Sequence, residues 1–309
     1  MTRHTRMLLA LLAALCLAVS VAACGSDDSD SGSGDSGGGD AAGKEIKSDS
    51  ANSKTTITVG SKNFPEQFIL GEIYSQALEA AGYTVKKDLN LGSEVVAFKA
   101  LKQGKIDAYP EYTGTALTAL LGKKVADVPK EPQAAYDEVV AGAKKDKITA
   151  YPPTPFENTF RLGLLKEKAT ELKAKKSSDL DGKTGDLKIT GYPECRQRAD
   201  CLIGVEKAYG KFGKFVGSEQ TYQVIDNKDA DVGFLFTTDA QLSTGKYTTL
   251  DDDKKVFPPY NITLLMRDQQ ADALGEKGKQ LIVDVQKPLT EKVMVELNSR
   301  VVLDKQKPA

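Results

Sequence analysis

Two short segments carry most of the side chains able to bind something: Gly60-Ser61-Lys62-Asn63-Phe64-Pro65-Glu66-Gln67 and Ile106-Asp107-Ala108-Tyr109-Pro110-Glu111-Tyr112-Thr113-Gly114-Thr115. They offer an ammonium at Lys62, a hydroxyl at Thr115 and rings at Tyr109 and Tyr112. A ring face attracts a cation through its quadrupole, whereas an ammonium or a hydroxyl donates to an anion. The combination suits a small molecule carrying both charges. Catalytic groups are scarce. The one histidine, His4, stands in the N-terminal leader, so the rest of the chain holds no Ser-His-Asp or Cys-His nucleophile and no histidine for a metal. A hydrolase using paired carboxylates stays open as an alternative, although nothing singles out a pair among 43 acidic residues. Neither a metal nor a cofactor is expected.

The elements that must position these residues alternate in pattern. Ile57 to Val59 reads as a strand, and a helix follows from Pro65, with apolar residues at Ile69, Ile73, Ala77 and Ala81 and a stop at Gly82. Thr84 to Leu89 reads as a strand, Val95 to Lys102 as a helix, Ile106 to Tyr109 as a strand and Thr115 to Leu121 as a helix. This alternation predicts a parallel sheet with both segments at strand ends, where open α/β sheets bind ligands. A second set repeats it: strand Phe160 to Leu165, helix Glu167 to Lys175, strand Leu187 to Thr190, helix Leu202 to Tyr209 and strand Asp231 to Phe236. After Pro258-Pro259-Tyr260, the apolar run Ile262 to Met266 and helices at Gly278 to Gln286 and Thr290 to Arg300 are expected to return to the first lobe. The expected organisation is α/β with two lobes, residues 55–157 plus 260–309 and residues 158–259, joined by two crossovers with a cleft between them.

The N-terminus points to export. Arg3 and Arg6 precede an apolar run from Met7 to Val19, too short to span a bilayer with ease, and Val21-Ala22-Ala23-Cys24 places small residues before a cysteine. That arrangement resembles the lipobox of bacterial lipoproteins, which implies a signal peptide over residues 1–23 and a lipid on Cys24. Ordinary cleavage with a free Cys24 is the alternative. Residues 24–54, rich in Gly, Ser and Asp, read as a flexible tether, and a coil of about 30 residues spans roughly 30 Å. Cys195 and Cys201 are expected to pair as a disulfide outside the cell. With 42 basic and 43 acidic side chains the charge is balanced, so nucleic acid is not an expected partner.

The two opening segments, Gly71-Glu72-Ile73-Tyr74, Leu91-Gly92-Ser93 and Phe257-Pro258-Pro259-Tyr260 together resemble the substrate-binding proteins of ABC importers for quaternary-amine osmoprotectants: glycine betaine, proline betaine, choline and carnitine. The resemblance runs from about Thr56 to Val302. It implies a periplasmic-binding-protein-like fold of type II, no enzymatic activity, and a ligand caged by rings in the cleft. It also implies a monomer that delivers its cargo to a permease served by a separate ATPase. Carried over by position, Lys62, Thr115 and Arg198 match contacts to the ligand carboxylate. Tyr112 and Tyr260 match cage tyrosines, Phe160 and Phe236 stand where relatives have tyrosine, and Asn158 would offer its backbone carbonyl to the cation. Two buried cations favour a zwitterion, glycine betaine or proline betaine, over choline. A choline or carnitine binder and a ligand-sensing surface lipoprotein remain the alternatives.

Overall fold

The computed structural model describes residues 45–309. The leader, Cys24 and the tether before Glu45 lie outside the described residues. Strand β1 (Thr56–Gly60) carries the fully buried Ile57 and Val59. Helix α1 (Pro65–Ala80) starts with proline in its first turn, where the missing N–H costs nothing, and buries Leu70, Tyr74 and Leu78 at intervals of four. Strand β2 (Thr84–Asp88), helix α2 (Glu94–Lys102) and strand β3 (Ala108–Tyr112) follow. A single turn, α3 (Thr113–Thr115), then widens into a π-helical turn over Ala116–Leu120, and α4 (Pro132–Ala143) leads to β4 (Ile148–Ala150).

The chain then crosses to a second sheet through β5 (Phe160–Leu165), α5 (Lys166–Leu172), β6 (Lys188–Gly191), α6 (Leu202–Tyr209), β7 (Lys214–Gly217), α7 (Thr221–Asp226), β8 (Val232–Phe236) and β9 (Tyr247–Thr249). It returns through β10 (Ile262–Arg267), α8 (Asp268–Gln286) and α9 (Glu291–Val302). The strand orders are β2-β1-β3-β10-β4 and β7-β6-β8-β5-β9. Each sheet is the middle of its own apolar core, one built on Ile57, Val59, Leu70 and Tyr74, the other on Leu162, Leu164, Ile189 and Phe234.

Neither sheet is wholly parallel, which corrects the expectation. β1, β2 and β3 run together, but β10 enters from the second crossover and lies antiparallel to both β3 and β4. β5, the strand that opens the other sheet, is likewise antiparallel to β8 and β9. A segment arriving from the opposite lobe enters from the other end. The expected tether also ends early. Ser50–Lys54 form a 3-10 turn, the Asn52 side chain donates to the Ala81 carbonyl at 2.8 Å, and Gly82, at φ +94°, lies so close to Asp49 that a Cβ would sit 2.5 Å from its carbonyl.

The two crossovers run side by side. Glu157 bridges Asn261, Asn158 N–H donates to Tyr260 O at 3.1 Å, and the Thr113 and Thr159 hydroxyls each donate, at 3.1 Å, to the carbonyls of Pro259 and Pro258. Backbone polar groups that leave a sheet need partners, and here each crossover satisfies the other.

Candidate functional site

A cleft of about 770 Å³ opens between the sheets, within the range of small-molecule sites. Lys62, Tyr112, Thr115, Asn158, Phe160, Arg198, Phe236 and Tyr260 all line it. Tyr109 does not. It is a fully buried residue of β3 and donates to Glu111 at 3.1 Å.

On the first lobe, the loop after β1 delivers Lys62 and Phe64, and the end of β3 delivers Tyr112. Lys62 is paired with the wholly buried Glu111, whose carboxylate also accepts from the Tyr112 backbone N–H at 2.8 Å. Its Nζ stands 4.5 Å from the centre of the Tyr112 ring and 5.7 Å from that of Phe64, so one ring face is already turned to a cation. Phe64 and Tyr112 lie nearly parallel with centres 6.1 Å apart. The Tyr112 hydroxyl donates to Glu66 at 2.7 Å, and burial beside that carboxylate holds the phenol well above its ordinary range, so it stays protonated.

On the second lobe, β5 and β8 pair Phe160 directly with Phe236, and the two rings stack at 4.4 Å. That spacing is van der Waals contact, so no methylated nitrogen enters between them. They present one joint apolar face, backed by Phe234 and Phe257. The Cys195–Cys201 disulfide is formed and closes the loop bearing Arg198, whose guanidinium donates to Asp200 at 2.9 and 2.5 Å. Tyr260 packs so tightly on Gly114 that a Cβ there would sit 2.8 Å from its ring. Its phenol is pushed up to about 12, first by burial and then by the nearby Asp200 carboxylate. Neither cleft cation is therefore without an anion, and the argument from uncompensated buried charge, which favoured a zwitterion, loses its premise.

Sequence reasoning missed three acids on the cleft, Glu66, Glu94 and Asp239. Glu66 is buried and accepts from Tyr112, from Asn158 Nδ2 at 2.9 Å and from Asn298 Nδ2 at 2.8 Å. Asp239 accepts from the Phe236 N–H at 2.9 Å and the Tyr222 hydroxyl at 2.8 Å, and burial raises its carboxyl to about 6, with Glu66 adding to the rise. The available signal was position, since Glu66 lies inside the first opening segment and Asp239 directly follows Thr237-Thr238. Asn298 had none.

What the arrangement offers is ring faces and carboxylates for a cation, with donors at Lys62, Thr115 and Arg198 for an anion, Lys62 and Arg198 being already paired with acids. It holds no nucleophile–base pair, and no metal-binding cluster occurs among the described residues. Residues 55–309 match the model of the substrate binding domain of the ABC-type glycine betaine transport system. The chain is 29% identical over 267 residues to a glycine-betaine-binding protein of Pseudomonas aeruginosa, covering 82% of this chain and 84% of that one. It is 28% identical over 225 residues to the carnitine transport binding protein OpuCC of Listeria monocytogenes, covering 71% and 72% respectively. A crystal structure of a glycine betaine/carnitine/choline ABC transporter protein superposes with a TM-score of 0.75 at 23% identity, covering 82% of this chain and 94% of that one, which shows the shared two-lobed fold.

Proposed function

Because the chain belongs to the family of substrate-binding domains of ABC-type glycine betaine transport systems, we propose that it captures glycine betaine or a related carboxylated quaternary amine outside the cytoplasm. Delivery is to a permease driven by a separate ATPase. The methylated nitrogen meets the rings of Tyr112, Phe160, Phe236 and Tyr260, with the Asn158 carbonyl nearby, and approaches Tyr112 from the side away from Lys62. The carboxylate meets Lys62, Thr115 and Arg198. A quaternary nitrogen donates no hydrogen bond, so recognition rests on ring faces, each contributing about 0.5–2 kcal/mol. Lipid on Cys24 tethers a monomer to the membrane surface.

The supporting observation is geometric: eight side chains spread from residue 62 to residue 260 line a single cleft. Thermal unfolding in the presence of glycine betaine, proline betaine, choline and carnitine tests it. Ligand binding to the folded state alone raises the midpoint with concentration, by about 2.7 kcal/mol of stability at a hundredfold excess over Kd. A raised midpoint without turnover supports the binder; no shift with any of the four rejects it.

One observation favours a second reading. With Lys62 paired to Glu111 and Arg198 to Asp200, while Glu66 and Asp239 add negative charge, the cleft also suits a cation lacking a carboxylate, such as choline. A larger shift with choline than with either betaine selects that reading.

A further inference from the structure

Asn298 lies on α9, four residues after the buried Met294 and therefore on the same face, and it is itself buried. Its side-chain nitrogen donates twice, to Glu66 Oε2 at 2.8 Å and to the backbone carbonyl of Thr238 at 2.8 Å. The two acceptors belong to different lobes: Glu66 opens α1, and Thr238 follows β8. Glu66 in turn accepts from the Tyr112 hydroxyl and from Asn158 in the first crossover. One buried amide thus links the wall of the second lobe to the carboxylate that orients a ring of the first. The next residue repeats the bridge more weakly, Ser243 donating to Ser299 at 2.9 Å on the exposed side. Because both amide hydrogens are spent, the Asn298 carbonyl oxygen is turned away from these acceptors, and it is buried without a partner, as is that of Asn158. Buried amide oxygens left without partners are unusual, and both residues line the cleft.

We propose that Asn298 is a positioning residue which couples lobe closure to ligand retention, holding Thr238 of one lobe against the Glu66–Tyr112 pair of the other. Opening the cleft pulls Thr238 away from α9. The amide then satisfies Glu66 alone, and the Glu66–Tyr112 pair, still hydrogen-bonded, loses its tie to the second lobe. The inference rests on the proposed reading only for the identity of the ligand; the coupling itself concerns the lobes.

The test uses the purified protein with one spin label on each lobe, placed through Lys99→Cys and Lys207→Cys at exposed positions, and reads the inter-label distance with and without glycine betaine or choline. Asn298→Ala is expected to shift the distance distribution toward the open form even without ligand, and to raise the ligand dissociation rate about tenfold while association changes less than threefold. Ser299→Ala should leave both readouts within twofold. In the Glu66→Gln background the effect of Asn298→Ala on dissociation should shrink to less than half, because contacting residues in one network do not act additively. An unchanged distance distribution, or effects that multiply independently, overturns the proposal. If Asn298→Ala fails to fold, Asn298→Ser retains one donor and carries the same comparison. If neither ligand bound, the unliganded distance would still decide the coupling, and the proposed function would fall only if proline betaine and carnitine failed as well.

Discussion

The two walls of the cleft are built on opposite principles. The first-lobe wall is polar beneath its rings: Lys62, Glu111, Glu66 and Tyr112 are locked in a buried network in which each charge has a partner. The second-lobe wall turns the stacked Phe160 and Phe236 to the cleft, with its cation on the disulfide-closed loop and its acid, Asp239, hydrogen-bonded behind Phe236. The Lys62 and Glu111 side chains are 5% and 0% exposed, whereas Arg198 is 47% exposed over an Asp200 that is 2% exposed. The first wall is tied by buried hydrogen bonds, Glu66 gathering Tyr112, Asn158 and Asn298 and Glu111 taking Lys62 and Tyr109, whereas the second is held by packing and leaves its arginine open to water. A ligand with two poles is thus offered a fixed electrostatic frame on one side and a smooth surface on the other.

The largest expected break in this comparison is in stability. Lys62→Ala leaves Glu111 buried without its counter-ion and should cost about 3–5 kcal/mol in denaturant unfolding. Arg198→Ala, where the guanidinium is 47% exposed and water reaches the site, should cost about 1–2 kcal/mol. Equal costs would remove the distinction between the walls. Next comes affinity. Tyr260→Ala should weaken ligand binding at least tenfold, about 1.4 kcal/mol, by calorimetry, and Tyr112→Ala should do the same with an added loss of stability from the freed Glu66.

The pH dependence sharpens the same contrast. Asp239 has its folded pKa raised above the unfolded value to about 6, so the folded state binds the proton more tightly than the unfolded one. Its contribution is most favourable at low pH and is lost as pH rises through about 6. Relative to Asp239→Asn, the parent protein should gain about 1 kcal/mol between pH 7 and pH 5, measured by urea unfolding at both. A gain of the opposite sign would show that Asp239 is stabilised as the anion. The smallest effect belongs to the apolar wall, where Phe236→Tyr retains the ring and adds only a hydroxyl. Affinity should stay within about threefold, under 1 kcal/mol.

Much of this was legible because it is local. Ile57 and Val59, the apolar intervals of α1 and the proline that opens it sit within a few residues of one another, and the opening segments and Tyr260 resemble a known pattern closely enough to name eight residues that share one cleft. Long-range pairing was not legible. Lys62 and Glu111 are 49 positions apart, and Glu66 and Asn298 are 232 apart. A glutamate in a first helical turn reads as a partner of the helix dipole, so Glu66 gave no sign of gathering three donors. The π-helical turn at Ala116–Leu120 escaped for a similar reason, since the same apolar spacing fits an ordinary helix. Strand direction also depends on where a chain re-enters a sheet, which β10 does from the far lobe.

The central claim is that rings contributed by both lobes hold a methylated nitrogen in this cleft. Calorimetric titration of the purified protein with glycine betaine, beside Tyr260→Ala and Phe160→Ala, tests it most directly. The account predicts one site of roughly micromolar Kd, near 8 kcal/mol, weakened at least tenfold by each substitution. Binding of equal strength in all three proteins would contradict it.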